Sequence, residues 1–171
     1  LTSAWVPDLR RWPRLEAVDS VNYRLMSVSR RLRGFEQGPG AKVFQDMGVA
    51  VGIYASILRS IHNASSVQVI RDRNVEALAA ERPITQPPVP GKGDGDLLAA
   101  NEFIRDEIDN TLELIALLEE GGTAQLATAP SRELEDSFWL GPDVLDQLRR
   151  KVRIMQAHAR DGERFFVTPN K

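Results

Sequence analysis

The sequence predicts an all-α protein, an antiparallel bundle of four main helices with one or two short helical pieces besides. A long proline- and glycine-rich crossover is expected at about 82–96. Three observations carry this. Apolar residues recur at three- and four-residue steps along most of the chain, the signature of one helix face turned inward. No run sustains the period-two alternation of a half-buried strand. Glycine and proline cluster where one periodic run stops and the next begins, at 34–40, 82–95, 121–122 and 141–142. A length of 171 residues fits one domain. The chain divides into an extended N-terminal arm, 1–14, and a single helical-bundle domain, 15–171.

In the arm, Pro7 and Pro13 oppose a regular helix, and Trp5 and Trp12 are its apolar anchors. The first helix should run from about Leu15 to Arg33 on a seam of Val18, Val21, Leu25, Val28 and Leu32, with Gly34 as its C-terminal cap. The second starts near Ala41 after Gly38-Pro39-Gly40. Phe44, Met47, Val51, Tyr54, Leu58 and Ile61 are spaced 3-4-3-4-3, which reads as a bundle seam. Val67, Ile70 and Leu78 keep a compatible period to about Glu81. One long element is favoured, kinked or split at Asn63–Ser66 if it breaks at all.

Pro83, Pro87, Pro88 and Pro90, then Gly91, Gly93 and Gly95, leave neither helix nor central strand in the crossover. A third helix spans about Asp96 to Glu120 on Leu97, Asn101, Ile104, Ile108, Thr111, Ile115 and Leu118. Ser131 caps a short helix that holds Leu134, Phe138 and Trp139. Pro142 suits the first turn of the last helix, which runs to about Arg160 on Val144, Leu148, Val152, Met155 and Ala159.

Composition excludes more than it assigns. Hydrophobic residues at 42 % and charged residues at 27 % are the balance of a globular chain. With no cysteine there is no disulfide scaffold, thiolate nucleophile or cysteine-built zinc site, and two histidines cannot make a multi-histidine metal centre. The longest apolar run, Met47 to Leu58, is 12 residues, short of the roughly 20 that span a bilayer. It reads as a core helix, with no membrane span and a cytoplasmic location. Net charge is −2, yet residues 94–120 hold nine acids and one base. Residues 149–171 hold seven bases and two acids, and residues 1–34 seven bases and three acids. An acidic helix between basic ones, joined by solvated ion pairs, accounts for this pattern. The arginine clusters lack the interleaved aromatics that stack on bases, so the chain does not read as a nucleic-acid binder.

Candidate sites follow from the few residues able to do chemistry. Glu16 and Asp19, Asp106 and Asp109, and Glu133 and Asp136 stand one helical turn apart, a spacing that can hold Mg²⁺, but acidic helices contain such pairs by chance. No glutamate stands three residues before His62 or His158, so the diiron Glu-x-x-His pair is missing and no cofactor or metal is assigned. The candidate acid–base groups are His158 with Arg153 and Asp161, and His62. Arg153 and His158 have the Arg-x₄-His spacing of the helical HEPN ribonucleases, which the chain resembles in those two positions. The resemblance implies a metal-independent ribonuclease whose arginine and histidine, from two subunits, face a shared cleft.

Asn101 and Thr111 interrupt an apolar seam, where a polar group sets helix register or, together with Tyr54, lines a small-molecule pocket. Gly48 and Gly52, continued by Ala55 and Ser56, form a small-residue stripe suited to a close helix crossing, inside the bundle or across a two-fold interface. The leading expectation is a non-catalytic module acting through protein–protein association, as a homo-oligomer or with a protein partner. A ribonuclease using His158 and nearby arginines, and a small-molecule sensor, are the alternatives.

Overall fold

The computed structural model describes residues 13–79, 95–121, 129–137 and 140–159. The fold is all-α. In chain order the helices are α1 (Pro13–Arg33), α2 (Ala41–Ala79), α3 (Gly95–Gly121) and α4 (Val144–His158), with a 3₁₀ helix over Arg132–Ser137 before α4. No strand forms among the described residues. The arm up to residue 12, the crossover at 80–94 and the residues after 159 lie outside them, as do Asp161 and the anchors Trp5 and Trp12.

Most helix boundaries follow the local signals. Pro13 takes the start of α1, where its missing N–H is one of the unpaired amides anyway. The turn to α2 needs positive φ at Gly38 (100°) and Gly40 (97°), a region open to glycine. As favoured from its periodicity, and with no break at Asn63–Ser66, α2 is one helix of 39 residues, about 58 Å long. Its Ala41–Arg71 stretch is long and apolar enough, by length and composition, to cross a membrane, and only 33 % of its most apolar window is buried. The uninterrupted apolar run ends at Leu58, but the continuous helix carries apolar residues past Arg59 and His62.

The main core lies between α2 and α3, where Val49 and Ile53 meet Leu114, Leu117 and Leu118, and Leu145 and Leu148 of α4 close over it. Burying side chains such as Ile53 (0 % exposed) and Leu118 (1 %) contributes about 2 kcal/mol each. A smaller cluster joins Ile70 to Ala100, with Phe103 beside it. α2 and α3 run antiparallel, since Gly52 faces Leu117, Ser56 faces Asn110 and Asn63 faces Asp106.

Two predicted seams are displaced. On α2 the buried residues are Gly48, Val49, Gly52, Ile53, Ala55, Ser56, Asn63, Ser66 and Ile70, while Phe44 (40 % exposed), Met47 (50 %), Tyr54 (62 %) and Ile61 (44 %) face solvent. On α1 the buried residues are Leu15, Asn22, Met26 and Ser29, and Val21 and Val28 of the expected seam are exposed. The reason is the close approach of the two helices. A Cβ on Gly48 would lie 2.9 Å from both Arg33 N and Ser29 O, and one on Gly52 2.7 Å from Ser29 Oγ. Ser29 Oγ donates to Gly48 O at 2.7 Å. Near-contact of backbones gathers many dispersion contacts at once, and a seam of large side chains would hold the helices apart. The expected seams of α3 and α4 hold, with Thr111, Ile115, Leu118, Val144 and Val152 all buried.

Candidate functional site

The polar residues of α2 and α3 gather in one place, one and a half turns beyond the main core. Asn63, 2 % exposed, stands on α2 because its neighbours Ser56, Ser60 and Ser66 make that face small and polar. Its Nδ2 donates to Asp106 Oδ2 at 2.8 Å and to Glu107 Oε2 at 3.0 Å. Arg59 grips Asp106 with two nitrogens, Nε reaching Oδ2 at 2.8 Å, and its Nη1 stands 3.8 Å from Glu113. Glu107 is 7 % exposed, and a carboxylate so buried needs several partners. It accepts from Ser60 Oγ at 2.6 Å and from Lys151 of α4. Asn110 donates to Ser60 Oγ at 3.1 Å and to Ser56 O at 2.9 Å, and Thr111 donates back to Glu107 O at 2.7 Å.

Burial pushes the Asp106 carboxyl up, but the hydrogen bonds from Arg59 and Asn63 outweigh it and hold the group below the ordinary carboxylate value. Asp106 in turn raises Arg59, against the lowering effect of burial. Every oxygen of Asp106 and Glu107 therefore accepts a bond. The network ties α2, α3 and α4 together.

Clefts open on both sides of this tie. One of about 850 Å³ lies between α1, α2 and α3, with Asn22, Arg59, His62, Asn63 and Asp106 in its walls. His62 is set edge-on to Phe103, ring centres 5.7 Å apart. A second cleft, of about 470 Å³ and largely apolar, lies between α2, α3 and α4, where Val67, Ile104 and Met155 surround Glu107 and Lys151. Asn63 and Phe103 belong to both walls.

No protein-family model matches this chain, and no curated protein or solved structure does either.

The sequence-derived candidates scatter. Gly48, Gly52, Ala55 and Ser56 are buried inside the chain, taken up by α1 and α3. Of the two crossings open to this stripe, inside the bundle or between molecules, Gly48 and Gly52 make the one inside the bundle. Tyr54, Asn101 and Thr111 do not converge. Tyr54 is exposed, Thr111 is fully buried and bonded to its own helix, and none of the three lines either cleft. Thr111 is satisfied by the preceding turn of its own helix instead of facing a cavity. Arg153 and His158 are both exposed on α4, and five residues set them roughly 140° apart around a straight helix. Asp161 lies outside the described residues. Among the described residues no group of three or more His, Asp or Glu side chains is arranged to hold a metal ion. Of the carboxylate pairs, Asp106 is committed to Arg59 and Asn63.

Of the sequence-derived candidates, His62, Asp19 and Asp106 line the larger cleft. Arg59, Asn63, Glu107 and Lys151 were missed, although a signal was present. Ser56, Ser60, Asn63 and Ser66 recur at steps of four and three on α2, a polar periodicity hidden behind the larger apolar one.

Proposed function

We propose that this chain is a non-catalytic association module that pairs with a second copy of itself through the outer face of α2. One observation carries the reading. Phe44, Met47, Tyr54 and Ile61, with Val51 and Leu58 half-buried between them, keep an unbroken 3-4 spacing over five steps and stand outside the core. That period is the one that lets two helices wrap with a continuous apolar seam. The flanking positions Val43, Ala50, Ile57 and Ala64 are small or apolar, so a second copy of the stripe meets no like charge and can approach closely. Phe35 extends the patch at its base, its ring 5.0 Å from that of Phe44. Exposed apolar area of this extent on one helix marks a contact surface.

A lipid surface is the second reading, favoured by the apolar length of Ala41–Arg71. Against immersion stand the charges packed along α2, its own Arg59 paired with Asp106 of α3, and Glu107 of α3 paired with Lys151 of α4. Sedimentation equilibrium separates the two. The wild-type chain should be dimeric at about 100 µM, and Met47→Glu with Tyr54→Glu should be monomeric with unchanged helicity. A wild-type chain that stays monomeric at that concentration but floats with liposomes would replace self-association by membrane contact.

A further inference from the structure

The exposed stripe of α2 has a counterpart on α1. Val18, Val21, Leu25, Val28 and Leu32 keep the same 3-4 spacing, with Val21 (49 % exposed) and Val28 (45 %) in solvent and the other three half-buried. Each residue of a helix turns about 100° from the last, so the contacts of α1 and α2 fix which way each stripe points. On α1, Ser29 meets α2 at Gly48 and Gly52, and Arg33, about 40° further round, reaches Glu120 of α3. Val21 and Val28 lie about 90° from Ser29 in the opposite sense, away from α3. On α2, Gly48 meets α1, and Ser56, about 80° further round, meets Asn110 of α3. Met47, Tyr54 and Leu58 lie about 100° from Gly48 in the opposite sense, again away from α3. The two stripes therefore share one side of the α1–α2 pair and form a single two-helix face.

The area of this face matches what a stable dimer covers. A standard interface takes about 800 Å² from each partner. Phe35, Phe44, Met47, Tyr54 and Ile61 leave about 500 Å² exposed, at roughly 200 Å² for a free large side chain. Val21 and Val28, with the half-buried Leu25, Leu32, Val51 and Leu58, add about 300 Å². The exposed α2 positions and the turn fall short alone, and α1 makes up most of the difference.

We propose that α1 and α2 of two copies form a four-helix bundle, each α1 packing on α2 of the other copy about a two-fold axis parallel to the helices. This rests on the α2 pairing above and adds to it the second helix and the orientation. Charge selects the arrangement. Arg24 and Arg31 are exposed on the outer edge of α1, about 60° beyond Val21 and Val28. With α1 on α1, the arginines of both copies would crowd one edge of the bundle, and like charges side by side oppose association. With α1 on α2 they fall on opposite edges, each pair beside the uncharged Val43, Ala50 and Ile57 of the other copy. Since α1 and α2 are antiparallel, every neighbouring pair is then antiparallel, the up-down-up-down order of four-helix bundles.

The chain has no cysteine, so introduced thiols report contacts between copies directly. Ser29 is level with Gly48 and Gly52 and the helices are antiparallel, which brings Val21 level with Leu58. A mixture of Val21→Cys and Leu58→Cys copies should cross-link under mild oxidation. Neither variant alone should, because like positions stand diagonally across the bundle, beyond the reach of a disulfide. Val21→Glu with Val28→Glu should raise the dimer dissociation constant at least about tenfold in sedimentation equilibrium. Both positions are exposed, so circular dichroism should show unchanged helicity. Leu58→Cys copies that cross-link with each other and not with Val21→Cys, or a dissociation constant unmoved by the two glutamates, overturn the proposal and leave the α2 pairing standing. Val21→Cys copies that cross-link with each other overturn it by placing α1 on α1. A wild-type chain still monomeric at about 100 µM removes both readings.

Discussion

At the scale of single residues, Gly48 and Asp106 bear the sharpest consequences. Alanine is a better helix former than glycine by about 1 kcal/mol, so Gly48→Ala would stabilise an isolated α2. Here the added Cβ meets backbone atoms of α1 at 2.9 Å, and backbone cannot step aside as a side chain can. We expect a net loss of about 1–3 kcal/mol in urea unfolding, and a gain would show that α1 and α2 are farther apart than described. Asp106 sets an acid limit. Its carboxyl sits below the ordinary value when folded and near 4 when unfolded, so between the two the unfolded chain binds more protons and stability rises with pH. The contribution is complete above about pH 5 and lost as pH falls through the lowered native value. Asp106→Asn should therefore lower the urea midpoint at neutral pH and flatten its decline below about pH 4. A parallel decline in both proteins would assign acid sensitivity to other groups. Arg59, Asn63 and Glu107 were not legible one by one, because a polar residue on a helix looks the same in sequence whether water or another helix satisfies it.

At the scale of elements, α3 is tied to each of the other three α-helices. Arg33 of α1 pairs with Glu120, Arg59 of α2 with Asp106, and Arg149 and Lys151 of α4 with Glu119 and Glu107. The charge asymmetry of the sequence becomes this arrangement, an acidic helix with basic partners. Most of the pairs are half-exposed and weak. The Lys151–Glu107 pair differs, since the carboxylate is buried, and removing its cation leaves a charge with hydroxyl and amide partners alone. Lys151→Met should destabilise by about 1–3 kcal/mol and speed amide exchange in α4, with much less effect in a Glu107→Gln background. Equal costs in both backgrounds would mean that α4 docks through Leu145 and Leu148 alone. α4 was the element best read from sequence, because its apolar spacing has a single solution. α2 was read least well, since it carries an apolar stripe and a small polar stripe and only contact decides which is covered.

At the scale of the whole molecule, the uncovered stripe of α2 predicts how assembly responds to salt. A seam of Met47, Tyr54 and Ile61 holds no charges, so pairing should be as strong or stronger in about 1 M NaCl than in 0.1 M. Pairing through the basic faces of α1 or α4 would instead weaken, and sedimentation at the two salt concentrations distinguishes them. By itself the sequence determined the all-α class, the number of main helices and most of their ends, because periodicity, caps and breakers act within a turn or two of the residue concerned. It also determined that no thiol or multi-histidine chemistry is open to the chain. Only the tertiary structure decided which face of α1 and α2 is inside, that α2 is one continuous helix, and that Asn22 and His62 share a cleft with Asp106. Those facts depend on the distance between helix axes. That distance is set by the smallest residues at a crossing, whereas periodicity reads the largest ones.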